Sequence, residues 1–378
     1  MKDLSECRIL VVDDVKANVD VLVEALKDDY KLSVALNGES ALKSVSRTPP
    51  DLILLDIMMP GIDGYEVCRQ LRASPATREI PVMFLSSLED VADKTRGFEV
   101  GGNDYLTKPF EILEVKARVR SLVKAKAYAD AVKEAMERDL RIAREIQMGI
   151  LPADLTRSTS GTGLDIHAML EPAQQVGGDL YEVLRAGDRV VVALGDVSGK
   201  GIPASLFMAV TMTLLRSMAR QFESPEEVLR RVNDELAASN PRGMFVTLCL
   251  AIYDMNTGLI TCASAGHHAA VHLGPTHPPR FVFSSSGPVL GLMPGARFEN
   301  ETLAFQPGET LVLFSDGVTE AFDQAEDLFG ETRLLEQLSR EPGTTAAATV
   351  SSVLGAVQRH AAGAPQSDDL TIVAVRRP

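Results

Sequence analysis

The chain has 378 residues, 45% of them apolar and 24% charged, an ordinary globular composition with length for roughly two domains of about 150 residues or more. Its formal net charge of −14 argues against a nucleic-acid partner, because phosphate binding needs a basic face. Cys7, Cys68, Cys249 and Cys262 are scattered without CxxC spacing, as buried free thiols would be. The sequence offers no apolar run of membrane-spanning length and no signal-peptide core between Met1 and Cys7, so a cytoplasmic protein without a membrane partner is expected.

Residues 1–124 alternate strand-like apolar runs, at 8–12, 32–35, 51–55, 81–85 and 104–107, with helix-like segments, which predicts a five-stranded parallel α/β sheet with crossover helices. Ligands bind such sheets beyond the carboxyl ends of the strands. There the sequence places Asp13 and Asp14 after the first run, Asp56 after the third, Ser86 at the end of the fourth and Lys108 after the fifth. Three crowded carboxylates repel one another unless a hard cation lies between them, which argues for Mg²⁺. A carboxylate attacking a phosphoryl donor would give an acyl phosphate, whose charge Lys108 and the Ser86 hydroxyl could meet. Any one of Asp13 and Asp14 alone could be a helix cap.

The order and spacing of VVDD, LLDIMMPGIDGYE, FLSS and DYLTKPF resemble the receiver domain of two-component response regulators, a flavodoxin-like fold. That resemblance implies that Asp56 is the phosphoacceptor, that Asp13, Asp14 and Asp56 bind Mg²⁺ with the Met58 carbonyl, and that Lys108 contacts the phosphoryl group. It also implies that Ser86 and Tyr105 are the moving pair, that the Lys108–Pro109 bond is cis, and that a sensor histidine kinase is the partner.

From 111 to 151 the chain has no proline and meets its first glycine at Gly149, so it predicts one long helix. Apolar or small residues recur at steps of three and four, at Leu122, Ala125, Ala129, Val132, Met136, Ala143, Ile146 and Ile150, with Asp139 out of character in the stripe. A helix packed on its own domain would give a similar pattern. The reading preferred here is a helical, coiled-coil linker over 125–150 that makes a homodimer, adjustable because alanine buries little in a seam.

Residues 151–378 show helix-like segments in blocks (203–221, 225–239, 345–360) and strand-like runs in hairpins, including the turn Asn256-Thr257-Gly258, which predicts an α+β layered sandwich with antiparallel sheets. Aspartates stand beside small residues near strand ends: Asp179 after Gly177 and Gly178, Asp196 after Gly195, Asp316 before Gly317, and Asp368 with Asp369. Such a carboxylate set suits Mg²⁺ or Mn²⁺ rather than zinc. With Asp196 central, two ions about 4 Å apart could share a water acidified for in-line attack on a phosphoryl group.

GGDLYE, GDVSGKG, FSDG and DDLT, in that order, resemble the PPM family of metal-dependent serine/threonine phosphatases (protein phosphatase 2C-like), in particular the bacterial sporulation-phosphatase type used in partner switching. EIQMGILP, just upstream, resembles the lead-in of that subgroup. The resemblance implies that Asp179 and Asp196, with the Val197 carbonyl, hold one Mn²⁺ or Mg²⁺ and that Asp196, Asp316 and Asp368 hold the other, with Asp369 as a ligand or as a residue that orients one. It implies a phosphorylated anti-sigma-factor antagonist as substrate. No arginine precedes Asp179 where many eukaryotic relatives carry one, so the substrate phosphate must be gripped from elsewhere.

Several other readings fall away. GDVSGKG is not a P-loop, because Leu194 and Gly201 stand where glycine and Ser or Thr are needed. Gly177-Gly178-Asp179 looks like the motif of cyclic-dinucleotide synthases, but nothing downstream matches that fold. His267 and His268 are adjacent, hence on opposite faces of a strand, and Lys200 is read as a loop lysine with nothing to depress its pKa. A non-enzymatic adaptor with the same fold is the alternative function, and the presence of all four aspartates weighs against it.

Overall fold

The computed structural model describes residues 3–87, 97–152, 154–155 and 159–378, and the chain divides into two compact units, Met1–Arg138 and Asp139–Pro378.

In the first unit β1 (Arg8–Val12), β2 (Lys31–Ala35), β3 (Leu52–Asp56), β4 (Val82–Ser86) and β5 (Asp104–Thr107) form a parallel sheet in the order β2-β1-β3-β4-β5. Its central strands are apolar at nearly every position because helices cover both faces. Ile9, Val11, Leu54 and Leu85 pack with Leu22 of α1 (Lys16–Leu26) and with Val119 of α4 (Ile112–Ile150). Leu10, Val12, Ile53 and Phe84 pack with Val45 of α2 (Gly38–Arg47) and Leu71 of α3 (Gly64–Ala73). Asn37 and Asp63 cap α2 and α3 by accepting the amides of Ser40 and Glu66, so these helices start where the sequence supplies a short polar acceptor. The strands end later than the apolar runs do. Asp56 still pairs with Leu85, and Ser86 with Thr107, so both polar side chains are held by ladder rather than loop.

Helix α4 runs unbroken for 39 residues and belongs to both units. Val115, Val119, Val123 and Ala127, spaced by four, form its buried face. The expected seam lies elsewhere on the helix: Val132, Met136 and Ile146 are at least half exposed.

The second unit stacks two antiparallel five-stranded sheets. One has the order β13 (Glu301–Ala304), β10 (Leu259–Ala265), β9 (Val246–Asp254), β8 (Arg189–Val197) and β7 (Leu180–Ala186). The other has β12 (His277–Val282), β11 (Ala270–Gly274), β14 (Thr310–Phe314), β15 (Leu370–Arg376) and β6 (Asp165–Glu171). Alternation decides what each strand buries: Leu311, Leu313, Val373 and Val375 face the first sheet, whereas Val312, Phe314, Ile372 and Ala374 face helices α8 (Gly330–Arg340) and α9 (Ala346–Ala361). Helices α5 (Ile202–Gln221) and α6 (Pro225–Ala238) pack on the outside of the first sheet, and a single turn, α7 (Asp316–Thr319), follows β14.

Contrary to the expectation from sequence, α5 is long and apolar enough to pass for a membrane span, with mean hydropathy 1.4 over its best window. It is built into the core instead: Ala204, Met208, Met212, Leu215 and Ala219 on its inner face are fully buried. Burying a Met or Leu side chain contributes about 1.5–3 kcal/mol, so the inner face is spent on packing against β7 and β8, while Ile202, Leu206 and Val210 on the outer face stay about half exposed or more.

Candidate functional site

In the first unit the carboxyl ends of β1, β3 and β5 bring Asp13, Asp56 and Lys108 into contact. The Lys108 ammonium lies 2.7 Å from Asp13 Oδ2 and 2.8 Å from Asp56 Oδ2. Asp13 also accepts the Val15 amide at 2.9 Å and the Asn18 side-chain amide at 3.1 Å. Asp14 is exposed beside them, and oxygens of Asp13, Asp14 and Asp56 lie within 4.8 Å of one another. Burial raises the Asp56 pKa, against the pull of Lys108 and the Met58 backbone. Burial also pulls Lys108 down, but its two carboxylate partners outweigh this and hold the ammonium above its ordinary value. The all-oxygen donor set of three carboxylates at this spacing fits Mg²⁺.

Ser86 is buried at the end of β4. Tyr105 lies against Phe84, ring centroids 5.5 Å apart, and shares a 3.0 Å hydrogen bond between its hydroxyl and that of Tyr65. The Lys108–Pro109 peptide is cis.

In the second unit the loop before β7, the end of β8, the start of α7 and the loop before β15 converge. Asp179 is buried, its Oδ2 accepting the Thr371 hydroxyl and its carboxyl also held by Ser315. Burial, then the charge of Asp196, pushes the Asp179 carboxyl well above the usual range. Asp196 is raised for the same reason, burial first and then Asp316 and Asp368. Asp316, at the first position of α7, is raised by burial and by Asp368. So much carboxylate in so little water is a poor arrangement for bare anions and a good one for hard divalent cations.

Glycine makes the close approach possible at two positions. A Cβ on Gly178 would lie 2.7 Å from the Val197 carbonyl oxygen and 3.0 Å from Asp196 Oδ1, so a side chain there would crowd both. A Cβ on Gly177 would overlap Asp369 Oδ2 at 1.8 Å. The two aspartates of the DDLT motif separate. Asp369 is buried with Oδ1 accepting the Ala173 amide at 2.8 Å and Oδ2 those of Gly178 at 2.9 Å and Asp179 at 3.4 Å. Asp368 is more exposed and pairs with Lys200, whose ammonium lies 2.9 Å away. That pairing raises the lysine's pKa, in keeping with a loop lysine that is not an acid at neutral pH.

Some supporting residues lie inside the quoted motifs without having been given a role by them. Gln147 near the end of α4 is buried and grips Gly177 twice, donating to its carbonyl at 2.8 Å and accepting its amide at 3.2 Å. Glu182 of GGDLYE is buried on Arg216 of α5, which also donates to the Ile150 carbonyl. His267 is buried and His268 exposed, though they lie between strands rather than in one. His267 donates from Nε2 to the Phe314 carbonyl at 3.2 Å, and its Nδ1 accepts the Thr247 hydroxyl at 2.8 Å. It is a tie, not a ligand. Gln147 shows its role only once Gly177 is folded against it.

The model of stage II sporulation protein E (SpoIIE) matches residues 186–378, a little over half of the chain. The chain belongs to the SpoIIE family. A response regulator receiver domain matches residues 9–120, so the SpoIIE part follows a receiver. Among curated relatives, protein IcfG of Synechocystis sp. is 28% identical over 70% of this chain and 44% of its own length. Response regulator PleD of Caulobacter vibrioides is 40% identical over 46% of this chain and 37% of its own. The chain thus spans less than half the length of these relatives. Among solved structures, the SiaA-PP2C domain of Pseudomonas aeruginosa is similar in fold, with TM-score 0.59 and 19% identity over 65% of this chain and 98% of that one. The SpoIIE region therefore has a PP2C-like fold, and the chain combines it with a two-component receiver.

Proposed function

We propose that the chain is a two-component response regulator whose output is a metal-dependent phosphoserine/phosphothreonine protein phosphatase, with domains at 1–124 and 151–378 and a linker at 125–150. The observation that carries this is the convergence of buried Asp179 with the half-buried Asp196, Asp316 and Asp368 in a PP2C-like fold. Asp179, Asp196 and the Val197 carbonyl would hold one Mn²⁺ or Mg²⁺, and Asp196, Asp316 and Asp368 the second. Such a pair supplies an acidified water and neutralises the phosphoryl oxygens. Thr371 and Ser315 fix the direction of Asp179, and Asp369 holds the Gly178–Asp179 backbone so that the carboxylate cannot swing away. Lys200 is the cation placed at the rim beside Asp368, where it meets the site's outer anion.

In the receiver, Asp56 takes the phosphoryl group from a sensor histidine kinase, Asp13, Asp14 and the Met58 carbonyl complete the Mg²⁺ site, and Ser86 and Tyr105 are the switch. The substrate would be a phosphorylated anti-sigma-factor antagonist in a partner-switching pathway, with both proteins in the cytoplasm. Manganese-dependent release of phosphate from a phosphoserine protein, measured with and without a chelator, tests the enzyme reading. Asp196→Ala should lower turnover at least a hundredfold with the fold retained. Turnover that survives complete chelation, or in Asp196→Ala, overturns the metal mechanism, and no turnover in the wild type favours the adaptor reading.

A further inference from the structure

The hairpin β11–β12 changes register between His272 and Gly274, and His277, opposite Gly274, comes to lie against His272 with ring centroids 4.5 Å apart. The turn that opens β14 sets Glu309 against both rings, Oε2 at 3.1 Å from His272 Nε2 and Oε1 at 3.8 Å from His277 Nε2. The His272 and Glu309 side chains are 2% and 8% exposed and that of His277 20%.

Glu309 Oε2 also accepts the Gln306 amide at 2.8 Å, and a carboxylate can only accept, so His272 carries its proton on Nε2 and leaves Nδ1 bare. The Pro278 carbonyl, 2.9 Å from His277 Nδ1, fixes that proton too and leaves Nε2 bare. Burial disfavours protonation of His272. Among the described residues, His272 Nδ1 and His277 Nε2 are the buried side-chain polar atoms without a hydrogen-bond partner. The bare His277 Nε2 faces Glu309, whereas Glu309 meets His272 at Nε2, so an ion beside the carboxylate would take His272 through Nε2, with that proton passing to the bare Nδ1. Two imidazoles and a carboxylate are the donor set of a transition-metal site.

We propose that His272, His277 and Glu309 bind a divalent transition-metal ion of the zinc class, separate from the aspartate cup. One ligand atom from each residue lies within 4.8 Å of the other two. The 3.8 Å between His277 Nε2 and Glu309 Oε1 is near the ~3.4 Å separating two ligands each about 2.05 Å from a tetrahedral ion. His277 sits at the first position of β12, next to the hairpin turn, where a small closing movement disturbs least. It also lines a cleft of about 340 Å³, which has room for a water as fourth ligand. Arg280, opposite His272 in the hairpin, and Arg376, on the cleft wall, are the nearby cations. The Arg376 guanidinium is occupied by the Gly308 carbonyl and the Thr310 hydroxyl, and Glu309 brings the compensating negative charge. The five residues of β14, about 17 Å of strand, and Ser315 separate Glu309 from Asp316. The ion would staple the β11–β12 hairpin to the turn that enters β14.

The test uses the full, tag-free chain carrying Asp196→Ala, so that neither turnover nor the intact aspartate cup enters the readout. After chelation it is loaded with Zn²⁺ in excess Mg²⁺ and desalted, and zinc per chain is counted, with Co²⁺ loading followed by visible absorption. One retained equivalent, with the intense bands of tetrahedral cobalt, is expected, and both should be lost when His277→Gln or the isosteric Glu309→Gln is added with circular dichroism unchanged. Absence of retained zinc in the parent, or retention of the equivalent in both variants, overturns the site and leaves a hydrogen-bonded His–Glu pair.

Discussion

Asp368 and Asp369 are neighbours with the same side chain and different surroundings. Asp369 is enclosed by the amides of Ala173, Gly178 and Asp179, and removing its carboxylate would leave buried donors without acceptors. An unsatisfied buried group costs about 1–3 kcal/mol, so Asp369→Ala should lower unfolding stability by that order, whereas Asp368→Ala, at a half-exposed site, should leave it within about 0.5 kcal/mol. Urea unfolding of the two variants separates the roles, and equal losses would contradict the division. Asp368→Ala should instead raise the manganese concentration needed for turnover. Asp56 stands apart in the first unit as the carboxylate that contacts Lys108 from the end of the central strand β3. Asp56→Asn should abolish labelling by acetyl phosphate, because an amide cannot form the acyl phosphate. Labelling that persists in this variant would move the phosphoacceptor to another residue.

At the scale of elements, His267 ties β9 to β14, bonding Thr247 with one ring nitrogen and the Phe314 carbonyl with the other. Burial holds its pKa down at about 3 against an ordinary 6.5. A depressed folded-state pKa contributes stability that is present above the unfolded value and is lost as pH falls toward the folded one. Between pH 7 and 5 the unfolded chain takes up a proton that the folded chain refuses, which removes about 2 kcal/mol at 1.36 kcal/mol per pH unit. His267→Gln should therefore lose about 2 kcal/mol less than wild type over that interval in urea unfolding, and parallel losses would show that the ring is not buried neutral. The elements themselves were largely legible from sequence because period-two apolar runs and glycine-flanked aspartates are local signals. The sheet order, the pairing of Gln147 with Gly177 and the meeting of His272, His277 and Glu309 were not, because each joins residues 30 or more apart or depends on a shift of register. The histidine pair that sequence did single out, His267 and His268, splits into a buried tie and an exposed ring. Nothing in two adjacent letters distinguishes these.

For the whole molecule, α4 is continuous through the division of the chain at Arg138 and Asp139, the place where the apolar stripe is interrupted. Ala125, Ala129, Val132 and Met136 before it, and Ile146 after it, are exposed in the single chain. Covering such a stripe with the same stripe of a second copy would give a two-stranded seam, weak where alanine fills it and offset where Asp139 stands. Two pairings a few kcal/mol apart are within reach of a ligand-driven population shift, and the phosphoryl group on Asp56 is the candidate ligand, acting through Ser86 and Tyr105. Loading the receiver with beryllofluoride should then change the sedimentation coefficient and the phosphatase turnover together. Asp139→Leu should strengthen the dimer, at least tenfold in dissociation constant, and make turnover less dependent on Asp56. Such a gain corresponds to about 1.4 kcal/mol, less than one well-buried leucine contributes. If beryllofluoride alters neither association nor turnover, or if Asp139→Leu leaves both unchanged, the helix is a passive connection and control of the phosphatase lies elsewhere in the receiver.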